Sequence, residues 1–255
     1  MLSPGHGKPR SELTGLAEEL ASRGYVVAAI DHTYESIAMT FPDGRVTTCV
    51  TCEIEKTPEW WVGLVKSRAR DVSFVLDRLT GPRAAWKGAR LIDPSRIAMA
   101  GHSVGGAGTI PALLSDSRVR AGIDIDGTTD MAIPEGGLSR PFVFLGKPST
   151  YTPGQGEAAA ATWERDWERL TGWKRRLLLT GAEHLSFTDL GVLVDQLGLD
   201  ASAGISGARA MAVTRAYVTA FLDRHLRRGH RPLLDRPSPG YPEIKHCAPE
   251  SRTCR

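Results

Sequence analysis

Arg96-Ile97-Ala98-Met99-Ala100-Gly101-His102-Ser103-Val104-Gly105-Gly106 is the stretch that decides the reading of this chain. An apolar run of strand length enters Gly-x-Ser-x-Gly, and small residues suited to a helix start follow it. A turn this tight leaves no room for side chains two residues either side of the serine, a demand that Gly101 and Gly105 meet. The helix predicted from Val104 aims its first backbone N–H groups at the turn, where the helix end carries partial positive charge. An ordinary glycine-rich turn has the same five-residue pattern. The strand before it and the helix after it favour a nucleophile at Ser103.

Outward from this turn, apolar runs of strand length alternate with amphipathic segments. Toward the amino terminus, a helix is predicted from Ser11 to Ala21, with Leu13, Leu16, Ala17 and Leu20 on one face, Ser11 as N-cap and Gly24 as stop. Tyr25 to Asp31 reads as a buried parallel strand. His32 to Thr57 reads as a long loop with a small hairpin about Pro42-Asp43-Gly44. Pro58 opens a helix to about Leu79, ended by Gly81-Pro82, whose buried stripe is Trp61, Val65, Val72, Val75, Leu76 and Leu79. Beyond the turn, a helix runs from Val104 to Leu114, and strands follow at Ala121–Asp126, Pro141–Leu145 and Arg176–Thr180. Between the last two, Ala158 to Leu170 forms a helix with Trp163, Trp167 and Leu170 at helical spacing. It reads as a surface helix docked on the core, with a lid or interface-binding element as the sharper alternative. Ala212 to Leu226 closes the domain. The pattern predicts an α/β fold with a mostly parallel sheet covered by helices on both faces, spanning residues 1–228, and an extended tail over 229–255.

A length of 255 residues suits one such domain, and a charged fraction of 24% with aliphatic runs throughout argues against disorder. The formal net charge of +3 is mild and the arginines are scattered, so nucleic acid is not an expected partner. No apolar run reaches the length of a membrane span. The opening Met1-Leu2-Ser3-Pro4-Gly5 lacks the basic start and apolar core of a signal peptide, so a cytoplasmic setting is the expectation for the chain as it stands. Four cysteines fall in two close pairs, Cys49/Cys52 and Cys247/Cys254. Cys49-Val50-Thr51-Cys52 lies in a loop rather than at a strand-to-helix junction, against redox catalysis, and the second pair is too widely spaced for a zinc knuckle. Three disulfide pairings are open. Neither a cofactor nor a metal is expected, and oligomeric state is not legible.

A serine becomes a nucleophile when a base takes its proton and an acid fixes that base's tautomer, and in a sheet of this kind the chain order is Ser, acid, His. Of seven histidines, His6, His32 and His102 precede Ser103, His225 sits among arginines on the last helix, and His230 and His246 belong to the tail. His184 alone directly follows a strand, in Leu177-Leu178-Leu179-Thr180-Gly181-Ala182-Glu183-His184. The acid belongs at the carboxyl end of an intervening strand. Phe142-Val143-Phe144-Leu145 runs into Gly146-Lys147-Pro148-Ser149, which has no carboxylate. Gly122-Ile123-Asp124-Ile125-Asp126 ends in one. Asp126 is the choice, with Asp124 and Asp130 as rivals. Two N–H donors for an oxyanion are expected from the backbones of Val104 and His6, the latter in the glycine-rich opening loop.

Leu20-Ala21-Ser22-Arg23-Gly24-Tyr25-Val26-Val27-Ala28-Ala29-Ile30-Asp31-His32, Ile92-Asp93-Pro94-Ser95-Arg96-Ile97, the Gly101–Gly106 turn, Ala121–Asp126 and Glu183-His184-Leu185-Ser186-Phe187-Thr188-Asp189 together resemble the platelet-activating factor acetylhydrolase group of α/β-hydrolases. The likeness extends from Ser3 to about Asp189. It implies Ser103 as nucleophile, Asp126 as acid, His184 as base, His6 and Val104 at the oxyanion hole, and cofactor-free hydrolysis of short-acyl esters of small-molecule or lipid type, with peripheral contact at a lipid interface. Members of that group carry strands before the Ser-Pro-Gly-His loop. The resemblance therefore implies a sheet lacking those strands, with Met1-Leu2 as the remnant, and a secreted form for a longer chain. A cutinase-type or polyester hydrolase shares the Ser-Pro-Gly loop and the Gly-His-Ser turn, but places its acid after the next strand, where Gly146-Lys147-Pro148 offers none. A noncatalytic binding domain on the same scaffold is the alternative from outside enzymology.

Overall fold

The computed structural model describes residues 1–81, 84–199 and 204–255. In chain order these hold β1 (Leu2–Ser3), α1 (Thr14–Ser22), β2 (Ala38–Thr40), β3 (Val46–Thr48), α2 (Pro58–Thr80), β4 (Ile97–His102), α3 (Val104–Ala107), α4 (Thr109–Ser115), β5 (Val119–Ile125), β6 (Phe142–Gly146), α5 (Pro148–Tyr151), α6 (Ala158–Arg169), β7 (Lys174–Leu179), α7 (Asp189–Gln196), α8 (Gly207–Arg227), β8 (Ile244–Ala248) and β9 (Thr253–Cys254). One sheet runs in the order β1-β4-β5-β6-β7-β8-β9. Its strands are parallel from β1 to β7 and antiparallel from β7 to β9.

Side chains of a strand alternate between its two faces, and both faces here are dry. Ala98 and Ala100, Ile123 and Ile125, Val143 and Leu145, and Leu177 and Leu179 pack toward the layer that includes α1 and α8. Ile97 and Met99, Phe142 and Phe144, and Leu178 pack toward α2, α4 and α6. The registers His102↔Ile125, Ile125↔Leu145 and Leu145↔Leu177 bring the carboxyl ends of β4 to β7 to one edge. That edge is where a parallel sheet of this kind holds its ligands.

The ends of α2 follow the sequence, whereas α1 starts at Thr14 after a short helical turn over Arg10–Leu13, so Ser11 is not its cap. The Thr57 hydroxyl accepts from the Trp60 N–H at 3.2 Å and caps α2. Gly81 is its C-cap, while Pro82 lies outside the described residues. The helix after the turn divides at Gly108 into α3 and α4. The hairpin expected in the 32–57 loop forms as β2 and β3. Trp163 on α6 is fully buried, stacked on Tyr151 with ring centroids 3.7 Å apart, and its indole N–H donates to the Gly127 carbonyl at 2.7 Å. Its aromatic face is covered, which favours the docked helix over the lid. Among the described residues no helix is long and apolar enough to cross a membrane.

Two expectations need correction. Tyr25–Asp31 is not a strand: it meets β1 through one bridge, Leu2 with Ala29, and through the bonds Leu2 N–H to Ala28 O (2.8 Å) and Ile30 N–H to Leu2 O (3.0 Å). A ladder needs a partner of matching length, and β1 offers two residues. Residues 229–255 are not a free extended tail. The prolines give out before β8, which pairs along the open edge of β7 from Arg176↔Cys247 to Leu179↔Ile244. β9 then folds back on β8, with the register pair Cys247 and Cys254 joined by a disulfide. The second disulfide, Cys49–Cys52, is equally local.

Candidate active site

Ser103 stands between β4 and α3 with φ 56° and ψ −126°, a backbone that a residue with a side chain adopts only when its surroundings enforce it. The enforcement comes from close contacts that glycine alone allows. A Cβ at Gly101 would lie 2.2 Å from the Gly105 carbonyl carbon, and one at Gly105 would lie 2.0 Å from the Ser3 carbonyl oxygen. The Ser103 N–H is tied to the Ile125 carbonyl at 2.8 Å. Its hydroxyl makes no hydrogen bond to protein among the described residues.

Asp126 follows β5 directly and is 3% exposed. One of its oxygens, Oδ2, lies 2.5 Å from His184 Nδ1, and the other, Oδ1, accepts the Lys147 N–H at 2.8 Å. A carboxylate only accepts, so His184 carries its proton on Nδ1 and keeps Nε2 as a base. The loop after β7 delivers His184, and the Glu183 N–H to Ser186 Oγ bond (2.9 Å) pins the short helical turn it opens. Ser103, Asp126 and His184 line one cavity of about 440 Å³ together with Trp61, Val104, Thr128, Asp130, Lys147, Thr150 and Tyr151. A separate apolar groove of about 230 Å³, lined by Met1, Tyr25, Leu76 and Leu222 among others, shares none of these residues.

The rival acids have other positions. Asp124 is fully buried beneath the turn, accepts the Gly127 N–H at 2.9 Å through Oδ1, and has its pKa driven well up by burial. Asp130 lies on the cavity wall, where burial pushes its pKa up to about 6. Neither contacts His184.

The backbone N–H groups of Val104 and His6 donate to no protein acceptor among the described residues. Two buried charged groups hold the opening loop. Arg68, 1% exposed and paired with Glu35 at 2.8 Å, donates to the Pro4 and Gly5 carbonyls. In a planar trans peptide the carbonyl and the following N–H point opposite ways, so a Gly5 carbonyl facing Arg68 turns the His6 N–H to the other side. The His6 imidazole is set apart from the Ser103 cavity. It sits edge-on to Trp60 and Trp61 at 5.5 and 5.7 Å, its Nε2 is hydrogen-bonded with Thr51 Oγ1 at 2.9 Å, and burial and the nearby Arg68 charge lower its pKa. Sequence reasoning missed Arg68, Glu35 and the Glu12–His102 contact, because each acts across a long chain separation. It also assigned Trp61 to the buried face of α2, whereas the ring is half-buried on the cavity wall.

No protein-family model matches the chain. It is 29% identical over 266 residues to a probable 1-alkyl-2-acetylglycerophosphocholine esterase of Arthroderma benhamiae, covering 96% of this chain and 64% of that protein. It is 24% identical to a platelet-activating factor acetylhydrolase of Cavia porcellus, over 89% of this chain and 57% of that one. The chain thus spans roughly three-fifths of the length of these relatives. Among solved structures, a ferulic acid esterase from Streptomyces cinnamoneus superposes with a TM-score of 0.87 at 43% identity, over 97% of this chain and 72% of that one. A strained serine turn on a parallel sheet, with likeness of this extent to a solved α/β structure, places the chain in the α/β-hydrolase superfamily, alongside relatives named as platelet-activating factor acetylhydrolases.

Proposed function

We propose that this chain is a serine carboxylic-ester hydrolase acting on short-acyl esters of the phospholipid type through an acyl-enzyme. The observation that carries the reading is one cavity shared by the strained Ser103 and by His184 held on Asp126 at 2.5 Å. In this mechanism His184 Nε2 takes the Ser103 proton as Oγ attacks the ester carbonyl. The tetrahedral oxyanion is received by the His6 and Val104 N–H groups, preorganised donors that need no rearrangement as charge develops. His184 returns the proton to the leaving alkoxide, water repeats the sequence on the acyl-enzyme, and Asp126 supports the imidazolium formed in each half. A free Ser103 hydroxyl is compatible with this, since catalytic hydrogen bonds commonly tighten only when substrate binds.

Relatives named for acetylglycerophosphocholine and platelet-activating factor support the short-acyl lipid class. The aromatic walls Trp61 and Tyr151 favour a second substrate class, esters of aromatic acids, consistent with the ferulic acid esterase likeness. The test is a p-nitrophenyl ester series from acetyl upward, with methyl ferulate beside it, on the parent and on Ser103→Ala. Fastest turnover of the acetyl ester, abolished in Ser103→Ala, is the expected result. Faster turnover of the ferulate would select the second class. An inactive parent, or a Ser103→Ala variant that keeps its rate, would end the hydrolase reading.

A further inference from the structure

The opening loop and the loop carrying His184 lie far apart in the chain, yet one buried pair touches both. Glu12 is 3% exposed and His102 1%. Glu12 Oε1 accepts the Gly5 N–H at 2.5 Å and lies 3.3 Å from His102 Nδ1. On the far side of the ring, His102 Nε2 lies 2.9 Å from the His184 carbonyl oxygen, and the two imidazole centroids are 4.5 Å apart.

The donor count leaves one arrangement. A carbonyl oxygen only accepts, so His102 Nε2 bears a hydrogen. A neutral ring protonated there turns the Nδ1 lone pair toward an Oε1 that, in a carboxylate, has only lone pairs to offer. Two acceptors facing each other in a dry site would carry the cost of unsatisfied polar groups without a hydrogen bond to offset it. One additional proton between Nδ1 and Oε1 removes the conflict, whether drawn as imidazolium against carboxylate or as neutral ring against carboxylic acid.

We propose that Glu12 and His102 share this proton and act together as a positioning pair. They fix the Gly5 peptide that precedes the His6 N–H, and they fix the backbone of His184. The oxyanion donor and the base thereby keep their separation about Ser103, which follows His102 in the chain. Neither residue touches substrate. Each acts through its neighbours, and their place in turnover rests on the esterase reading above. Since a misplacement of about 1 Å at a reacting centre costs on the order of 100-fold, the pair influences kcat far more than substrate affinity.

Glutamine at position 12 discriminates, because both contacts fall on the same oxygen. An amide oxygen still accepts from Gly5 but has no proton to share with His102. Glu12→Gln is expected to lower kcat on p-nitrophenyl acetate by about 10- to 100-fold with KM within about threefold. The Gly5 bond should be kept and the fold retained, with the melting temperature lowered because Nδ1 and the amide oxygen then face each other without a proton between them. In the parent, ¹⁵N spectra of the histidine rings should show His102 Nδ1 protonated or strongly hydrogen-bonded, a signature lost in Glu12→Gln. The proposal is overturned by a folded Glu12→Gln with kcat within twofold of the parent, by a loss confined to KM, or by a free, unbonded Nδ1 at His102 in the parent. The spectrum of the parent decides the shared proton even where the variant does not fold. Should the parent fail to hydrolyse any ester, the hydrolase reading and the kinetic role fall together, while the spectrum still decides the shared proton separately.

Discussion

His184 Nδ1 and Asp126 Oδ2 are 2.5 Å apart across 58 residues of chain, and Asp126 reaches that position with a positive φ of 55° immediately after β5. A non-glycine residue in this conformation carries strain. Here the strain turns the carboxylate off the strand axis, with Oδ1 on the Lys147 N–H and Oδ2 on the imidazole.

Asp126→Asn should leave the chain folded and lower kcat by about 10³- to 10⁴-fold, because an amide cannot hold the imidazole in the tautomer that leaves Nε2 basic. Asp124→Asn should leave kcat within about threefold. Burial pushes its carboxyl pKa well up, so the uncharged form suits the site, and an amide of the same shape keeps the bond from Gly127. Steady-state kinetics on both variants check this, and equal losses would reassign the acid.

Arg68→Met should cost about 3–5 kcal/mol of stability, because it leaves Glu35 as a buried unpaired charge. The double variant Arg68→Met/Glu35→Gln removes that charge and should recover much of the melting temperature. It should not recover kcat, because the Pro4 and Gly5 carbonyls have still lost their donor. Thermal melts with p-nitrophenyl acetate kinetics separate the two effects, and full recovery of both would deny Arg68 a part in placing the loop.

Asp130 gives a pH signature of known sign. Its folded pKa, about 6, is above the ordinary 3.8, so its favourable contribution to stability is complete below the ordinary value and is lost as pH rises through about 6. Asp130→Asn should therefore melt close to the parent at pH 4 and above it at pH 7 to 8. Melting curves across that range check it, and a gap that does not widen with pH contradicts the assignment.

Gly105→Ala should disrupt the turn itself. The added Cβ would meet the Ser3 carbonyl oxygen at 2.0 Å, a backbone atom that cannot swing aside. Overpacking of this kind costs typically about 1–3 kcal/mol. Activity should fall further than stability, since Ser3 leads into the loop bearing the His6 N–H. Activity retained in a folded Gly105→Ala would show that the loop is not held by this contact.

Local features were legible wherever a residue's role depends on its own neighbours in the chain. The turn at Gly101–Gly105, the strand endings that present Asp126, the loop after β7 that carries His184, and the stop of α2 at Gly81 all follow from spacing and residue type. Where pairing is between distant segments, the same reasoning misled. Tyr25–Asp31 has the composition of a buried strand but only two residues of β1 to pair with, and the proline-rich segment before β8 gives no sign that Ile244–Ala248 will close the open edge of β7.

By itself, then, the order of residues determined the α/β layering and the candidate nucleophile, acid and base, because hydrophobic period and turn chemistry are short-range properties. Only the tertiary structure decided which buried charges hold the opening loop, that Glu12 and His102 meet across 90 residues, and that the carboxyl-terminal segment belongs to the sheet. Those contacts depend on where the packed layers bring separate segments together, and no periodicity along the chain encodes that distance.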